Sequence, residues 1–262
     1  MSDSTNHTII QVADLVKSYP VGGGNLTILK GLSFDVHIGE FVTIVGPSGN
    51  GKSTLLNMIT GIDRPTSGEV FVTGRNVGQM SENQLAAWRG PNLGIVFQFF
   101  QLLPALSLLQ NVIMPMDFAG TLPPRQRRER ARQLLDLVGL ADHVDKLPSM
   151  ISGGQQQRAA VARALANDPP IVVADEPTGN LDAETSEELL GLFDRLSGSG
   201  KTLLMVTHSQ ALAGRADRII EIKNGVVARD IRNNHLGRHD GLASDGRERG
   251  PFSVAMLEAA SS

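Results

Sequence analysis

A chain of 262 residues with 41% hydrophobic content has apolar material for one large domain or two small ones. The formal charge of −3 argues against a protein built to coat nucleic acid, and the absence of cysteine excludes disulfides, thiol catalysis and Cys-ligated zinc. The polar N-terminus lacks the order of a signal peptide, and no run reaches the ~20 apolar residues of a bilayer-spanning helix, so any membrane part of the system is expected on another chain.

Residues 8–19 alternate as a strand does, residues 20–25 form a Gly-rich turn, and residues 27–38 return as strand, an antiparallel opening. The apolar run Phe41 to Val45 suits a buried parallel strand, and helical spacing follows from Ser53 to Thr60. Residues 70–72 read as strand, 81–89 as helix stopped at Arg89-Gly90-Pro91, and 94–98 as strand. Residues 99–165 read as mostly helical, punctuated by Pro104, Pro115 and Pro123-Pro124, and are expected to form a helical subdomain. Strands at 171–174 and 202–207 flank a helix at 183–196, and a hairpin over 218–228 turns at Asn224-Gly225. Alternating strands and helices indicate an α/β fold, a mainly parallel sheet with helices on both faces. Residues 1–230 are expected to form the folded domain, and 231–262, rich in Gly, Ser, Asn, Asp and Arg, a poorly ordered tail.

The stretch Gly46-Pro47-Ser48-Gly49-Asn50-Gly51-Lys52-Ser53-Thr54 satisfies G-x-x-x-x-G-K-[ST] directly between an apolar strand and a helix. Glycines let backbone N–H groups turn toward phosphate oxygens, and the helix points its positive end at them. Lys52 then serves the β- and γ-phosphates, and Ser53 places its hydroxyl on Mg²⁺. The bland alternative, a Gly-rich turn that matches by chance, is weakened by the flanking strand and helix. By itself the loop fits a kinase, a GTPase or a motor equally well. No Asn-Lys-x-Asp guanine reader is present, which disfavours GTP.

A second strand ends in Asp175-Glu176. Asp175 suits the metal side, and Glu176 suits a general base or water-positioning carboxylate for attack on a γ-phosphate. An isolated acid pair is usually just a strand end, but its company with the phosphate loop speaks against that. Ser152-Gly153-Gly154-Gln155 opens a further helix, a second anion-binding geometry. One nucleotide does not need two such ends. Two copies meeting head to tail, each closing its Ser152 loop over the other's nucleotide, resolve the surplus.

These ordered motifs resemble the ATP-binding-cassette family over roughly residues 8–229. The resemblance implies a P-loop NTPase fold with an antiparallel β subdomain and a helical subdomain, and an ATPase that uses ATP and Mg²⁺. It implies that Gln98 reaches Mg²⁺ and the attacking water, that Asp182 in Thr178-Gly179-Asn180-Leu181-Asp182 sits in the loop crossing a dimer interface, and that His208 contacts the γ-phosphate. Tyr19 lies where the family stacks an aromatic on adenine; ordinary packing of a strand Tyr is the competing reading. Ile151 stands where Leu is commoner before the signature. Residues 111–116 and 177–182 look most like the lipoprotein-releasing and macrolide-efflux branch. The implied partners are a second cassette, identical or similar, and integral membrane permease subunits, placing the chain at the cytoplasmic face of a membrane.

Phe99, Phe100, Leu102, Leu103, Pro104 and Leu106 are expected to mix subdomain core with an exposed docking surface for the permease, at least two of them exposed. The arginine-rich run 125–132, interrupted by Glu129, reads as a solvated helix face. A non-transport cassette acting on DNA or ribosomes is the alternative. Only 54 positions separate Gln98 from Ser152, without sustained heptads, and there is one phosphate loop, so no nucleic acid is expected. A regulatory subunit with little hydrolysis is disfavoured by the full set of Lys52, Asp175, Glu176 and His208.

Overall fold

The computed structural model describes residues 8–233. A long hairpin opens it: β1 (Thr8–Val21) and β2 (Gly24–His37) pair antiparallel around a turn at Gly22-Gly23. With β4 (Ser67–Val72) and β5 (Arg75–Asn76) they form a four-stranded antiparallel sheet, order β2-β1-β4-β5.

The second sheet has six strands in the order β10-β9-β3-β8-β7-β6. Its strands are β3 (Phe41–Val45), β6 (Leu93–Val96), β7 (Ile171–Asp175), β8 (Thr202–Val206), β9 (Arg218–Lys223) and β10 (Val226–Arg232). All pairings are parallel except β9 with β10. The helices are α1 (Lys52–Ile59), α2 (Glu82–Asn92), α3 (Leu108–Ala119), α4 (Pro124–Leu137), α5 (Gly153–Ala164), α6 (Ala183–Gly198) and the short α7 (Gln210–Ala213).

The apolar runs of the central strands feed two cores at once, because successive side chains leave opposite faces of the sheet. Val42 and Ile44, Ile171 and Val173, Leu204 and Val206 join a core shared with α1 and the antiparallel sheet. Phe41, Val172 and Ala174, Leu203 and Met205 join a second core shared with α3, α4, α5 and α6. Ser81, Ser107 and Ser152 close capping boxes on α2, α3 and α5, and Asp182 caps α6.

Three expectations need correction. The helix from residue 82 runs through Pro91 to Asn92, where the Asn92 amide donates to the Trp88 carbonyl at 2.7 Å and Arg89 clamps the Thr60 and Gly61 carbonyls. Pro115 is likewise inside α3 and interrupts nothing. Residues 99–107 are not helical; Phe100 and Gln101 take positive φ, and buried Asn111 bonds both main-chain groups of Leu103. The expected tail lies outside the described residues from position 234, but Ile231 and Arg232 still belong to β10.

Phe193 of α6 is fully buried, whereas Phe118, at the end of α3, is 83% exposed. Phe193→Ala is therefore expected to lower stability by about 3–5 kcal/mol. Phe118→Ser should change it by less than about 0.5 kcal/mol. Urea unfolding of both variants checks the contrast; equal effects would contradict the placement of the second core.

Candidate functional site: a phosphate cleft at the strand ends

The neighbouring parallel strands β3, β8, β7 and β6 end at one edge of the sheet, where α/β proteins bind ligands. In that spatial order they deliver the phosphate loop, His208, Asp175-Glu176 and Gln98. An open cleft of about 600 Å³ is lined by Ser48, Gly49, Gly51, Lys52, Ser53, Thr54, Gln98, Glu176 and His208, with Ile28 of β2.

The loop is shaped by close backbone contact. A Cβ on Gly46, whose φ is +150°, would lie 2.1 Å from the Ile222 carbonyl oxygen of β9. Gly51 then starts α1 with neither a side-chain cap nor an acid in the first turn, unlike α2, α3 and α5 with their capping boxes. The N–H groups and positive end of α1 are thus left for an anion. Lys52 is buried, and its Nζ donates to the carbonyls of Gly46 at 2.9 Å and Pro47 at 3.1 Å. It is a cation held at the loop by weak neutral acceptors.

Asp175 ends β7 behind the loop. Its Oδ1 is buried without a hydrogen-bond partner. Burial raises its pKa above the ordinary carboxylate range; the Ser53 hydroxyl bound to it pulls the other way, Glu176 adds to the rise and Lys52 opposes it. An unpartnered carboxylate oxygen beside a hydroxyl and the loop suits Mg²⁺, which takes one or two carboxylates and completes its shell with water and phosphate.

Glu176 sits at φ +44°, a left-handed conformation that costs a non-glycine residue on the order of 1 kcal/mol or more. Its N–H donates to the Val206 carbonyl at 2.9 Å, holding the turn to the end of β8. Its Oε2 accepts from His208 Nδ1 at 2.9 Å and from the His208 backbone N–H at 3.3 Å. The carboxylate is thereby aimed into the cleft and fixed by the histidine. The loop after β7 also holds the loop after β6: Asn180 Nδ2 donates to the Gln98 carbonyl at 3.1 Å.

Other predicted residues lie elsewhere. Ser152 is exposed, and its hydroxyl accepts from the Gln155 N–H at 3.2 Å while Gln155 Oε1 accepts from the Ser152 N–H at 3.0 Å. Ser152, Gly153, Gly154, Gln155 and Asp182 do not line this cleft. Asp182 spends its carboxylate on capping α6 through Thr185. Tyr19 is half-buried outside the lining; its hydroxyl donates to Asp63 at 2.8 Å, and Lys17 Nζ lies 4.7 Å from its ring centroid. Asp63 also accepts from Lys17 at 2.7 Å, so it anchors this strand to the segment after α1.

Ile28, Asp63, Gln157 and Arg163 escaped the sequence reading. Gln157 Nε2 donates to the Pro177 carbonyl at 2.9 Å, and Arg163 donates to the carbonyls of Phe100 and Gln101. No local pattern marks these residues, since their partners lie distant in sequence.

The family profile described as ABC transporter matches residues 29–179. The chain belongs to the ABC transporter family. An ABC transporter ATP-binding protein of Thermotoga maritima is 48% identical over 219 residues, covering 84% of this chain and 93% of the relative. The macrolide export ATP-binding/permease protein MacB of Syntrophobacter fumaroxidans is 46% identical over 221 residues. That match covers 84% of this chain and 31% of the relative. The dimeric structure of MJ0796, a bacterial ABC transporter cassette, superposes with a TM-score of 0.81 at 41% identity, covering 85% of this chain and 98% of that one. MJ0796 is also known as a dimer in a post-hydrolysis state bound to ADP and Pi, with a TM-score of 0.80. The fold is that of an ABC nucleotide-binding domain, and this ABC protein is an ATP-hydrolysing subunit.

The raised pKa of Asp175 has a sign that can be tested. Its folded-state pKa exceeds the unfolded value, so the ionised group opposes folding. Stability of the nucleotide-free protein falls as pH rises from the ordinary carboxylate range through the raised value. Asp175→Asn should therefore raise the melting temperature at pH 8, with a gain that shrinks toward pH 4. A loss at pH 8, or an equal gain at both, would refute this assignment.

Proposed function

We propose that two copies of this ABC ATPase close head to tail on two ATP molecules and drive permease subunits carried on a separate chain. The observation that carries this reading is the division of the site. The cleft gathers Lys52, Ser53, Gln98, Glu176 and His208, while Ser152 to Gln155 and Asp182 lie outside it on the same chain. A second copy supplies what each cleft lacks, and the dimeric state of MJ0796 supports this reading.

In the proposed cycle Lys52 exchanges the Gly46 and Pro47 carbonyls for phosphate oxygens, a stronger charge-assisted bond. Glu176, steadied by His208, orients water and takes its proton as it attacks the γ-phosphate. Ser53, Asp175 and Gln98 are the residues that would hold Mg²⁺, which neutralises charge on the β- and γ-phosphates. Tyr19 is proposed as the adenine platform, with Asp63 as its anchor. The residues through β10 act as one ATP-binding unit whose helical arm, α3 to α5, carries the signature loop.

Among the described residues no helix is long and apolar enough to cross a membrane. Likeness to ATP-binding/permease proteins favours a permease in the same system and an export or force-transmitting direction. Phe99 and Leu103, 67% and 42% exposed, are the proposed permease contacts on this chain.

Glu176→Gln should lower ATP turnover by ~10² or more, the size expected for loss of a general base. It should also accumulate an ATP-bound dimer in size-exclusion chromatography. Turnover at the parent rate would overturn the role of Glu176. Ser152→Ala should bind ATP as the parent does and hydrolyse it about 5–10-fold more slowly, since a neutral hydrogen bond to the transition state contributes about 1–1.5 kcal/mol. Full hydrolysis by a strict monomer would refute the half-site.

A further inference from the structure

The turn between β9 and β10 lies against the phosphate loop, and one loop side chain ties them. Asn50 Oδ1 accepts from the Asn224 N–H at 2.6 Å. Asn50 Nδ2 donates to the carbonyls of Pro47 at 3.1 Å and Ser48 at 3.3 Å. One planar amide therefore engages two loop carbonyls on one side and a distant turn on the other.

The turn itself is well held. Asn224 and Gly225 take φ of +55° and +82°. The Lys30 N–H donates to the Gly225 carbonyl at 2.8 Å. A Cβ on Gly225 would lie 2.3 Å from the Ile28 carbonyl oxygen. Ile28 lines the cleft, so this turn, β2 and the phosphate loop meet at one junction.

Lys52 and Asn50 share a task in the loop but differ in what nucleotide does to them. Lys52 Nζ and Asn50 Nδ2 both donate to the Pro47 carbonyl. Lys52 must leave that carbonyl to meet phosphate. Asn50 does not line the cleft and has no reason to leave. We infer that Asn50 is a positioning residue: anchored on the Asn224 N–H, its amide holds the Pro47 and Ser48 carbonyls away from the phosphates, so the loop keeps its N–H groups inward after Lys52 departs. Neither the family pattern nor the cleft chemistry requires a side-chain role at this position. The inference rests on phosphate binding by the loop, which ADP titration of the parent protein tests separately.

The test compares the parent with Asn50→Ala and Asn50→Asp. Asn50→Ala loses all three bonds, and its Kd for ADP should rise about 5–10-fold, the value of roughly one net hydrogen bond. Its KM for ATP should rise in step while kcat at saturating ATP stays within about twofold of the parent, because uniform binding is what is lost. Asn50→Asp keeps the acceptor for Asn224 but loses both donors and sets a carboxylate against the Pro47 and Ser48 carbonyls, adding negative charge to an anion-binding loop, so its Kd should rise further. Hydrogen exchange at the Asn224 amide separates this role from general packing. Exchange should quicken in Asn50→Ala and remain slow in Asn50→Asp. Parent-like ADP affinity in either variant, or equal Asn224 exchange in the parent and Asn50→Ala, would overturn the inference. Should Asn50→Ala fail to fold, the ADP affinity of Asn50→Asp and slow Asn224 exchange in it decide the matter alone. Absence of ADP binding by the parent would instead overturn the reading of the loop.

Discussion

The shared edge at which β3, β8, β7 and β6 end is the constraint on which the site depends. Parallel pairing aligns Ile44 with Val206 and Asp175 with Val206, so the phosphate loop, His208 and Glu176 emerge at nearly one level. The side-chain alternation in those strands also fills two separate cores, leaving no free face on which the sheet could slip. A shift of one residue would exchange the occupants of both cores and rotate Asp175 away from Ser53. Register is thus enforced by burial, and catalytic geometry follows from register.

Within that frame the cleft contains what a folding optimum would avoid. Asp175 buries an unpartnered oxygen, α1 begins without a side-chain cap, Glu176 is held in a left-handed turn, and Lys52 donates its hydrogen bonds to main-chain carbonyls. Each such feature costs on the order of 1–3 kcal/mol. A fully buried Leu or Ile contributes about 1.5–3 kcal/mol, and the two clusters contain many, so the scaffold tolerates the sum. Anionic phosphates satisfy the unused donors of the loop and α1, and Mg²⁺ would satisfy the lone oxygen. Phosphate and Mg²⁺ would thus answer three of these features, while the turn at Glu176 sets its carboxylate in the cleft.

Much of this was legible in the sequence because it is local. The phosphate loop needs contiguous glycines and Lys52, the acidic pair follows an apolar run, and the hairpin turn at Asn224-Gly225 carries the residues that positive φ demands. Proline misled in two places. Pro91 and Pro115 lie inside helices: contacts from Asn92 and Arg89 hold the end of α2, and α3 runs on to a left-handed Gly120. The region 99–107 departs from the helical expectation: its apolar residues suit a helix, while its conformation is set by Arg163 and Asn111 from other elements. Ile28, Asp63 and Asn50's partner Asn224 share this character: their value comes from juxtapositions the fold creates.

The wiring of α5 carries the same logic to the dimer. Ser152 caps its first turn, Gln157 in its middle holds the loop after β7, and Arg163 near its end holds Phe100 and Gln101 beyond Gln98. Arg163 is half-buried with its pKa lowered by burial, and its bonds here run to carbonyls. Removing it would therefore release the loop as well as a charge. A helix tied through Gln157 and Arg163 to two site loops cannot shift alone. In the proposed dimer, nucleotide held across the interface by Ser152 would pull on α5, and α5 on the segment bearing Phe99 and Leu103. The same connection runs backward: a permease pressing on that segment would move Gln98 relative to Glu176 through Asn180 and Gln157. In the proposed assembly, coupling of hydrolysis to a membrane partner would need no long-range signal, only rigid transmission along one twelve-residue helix.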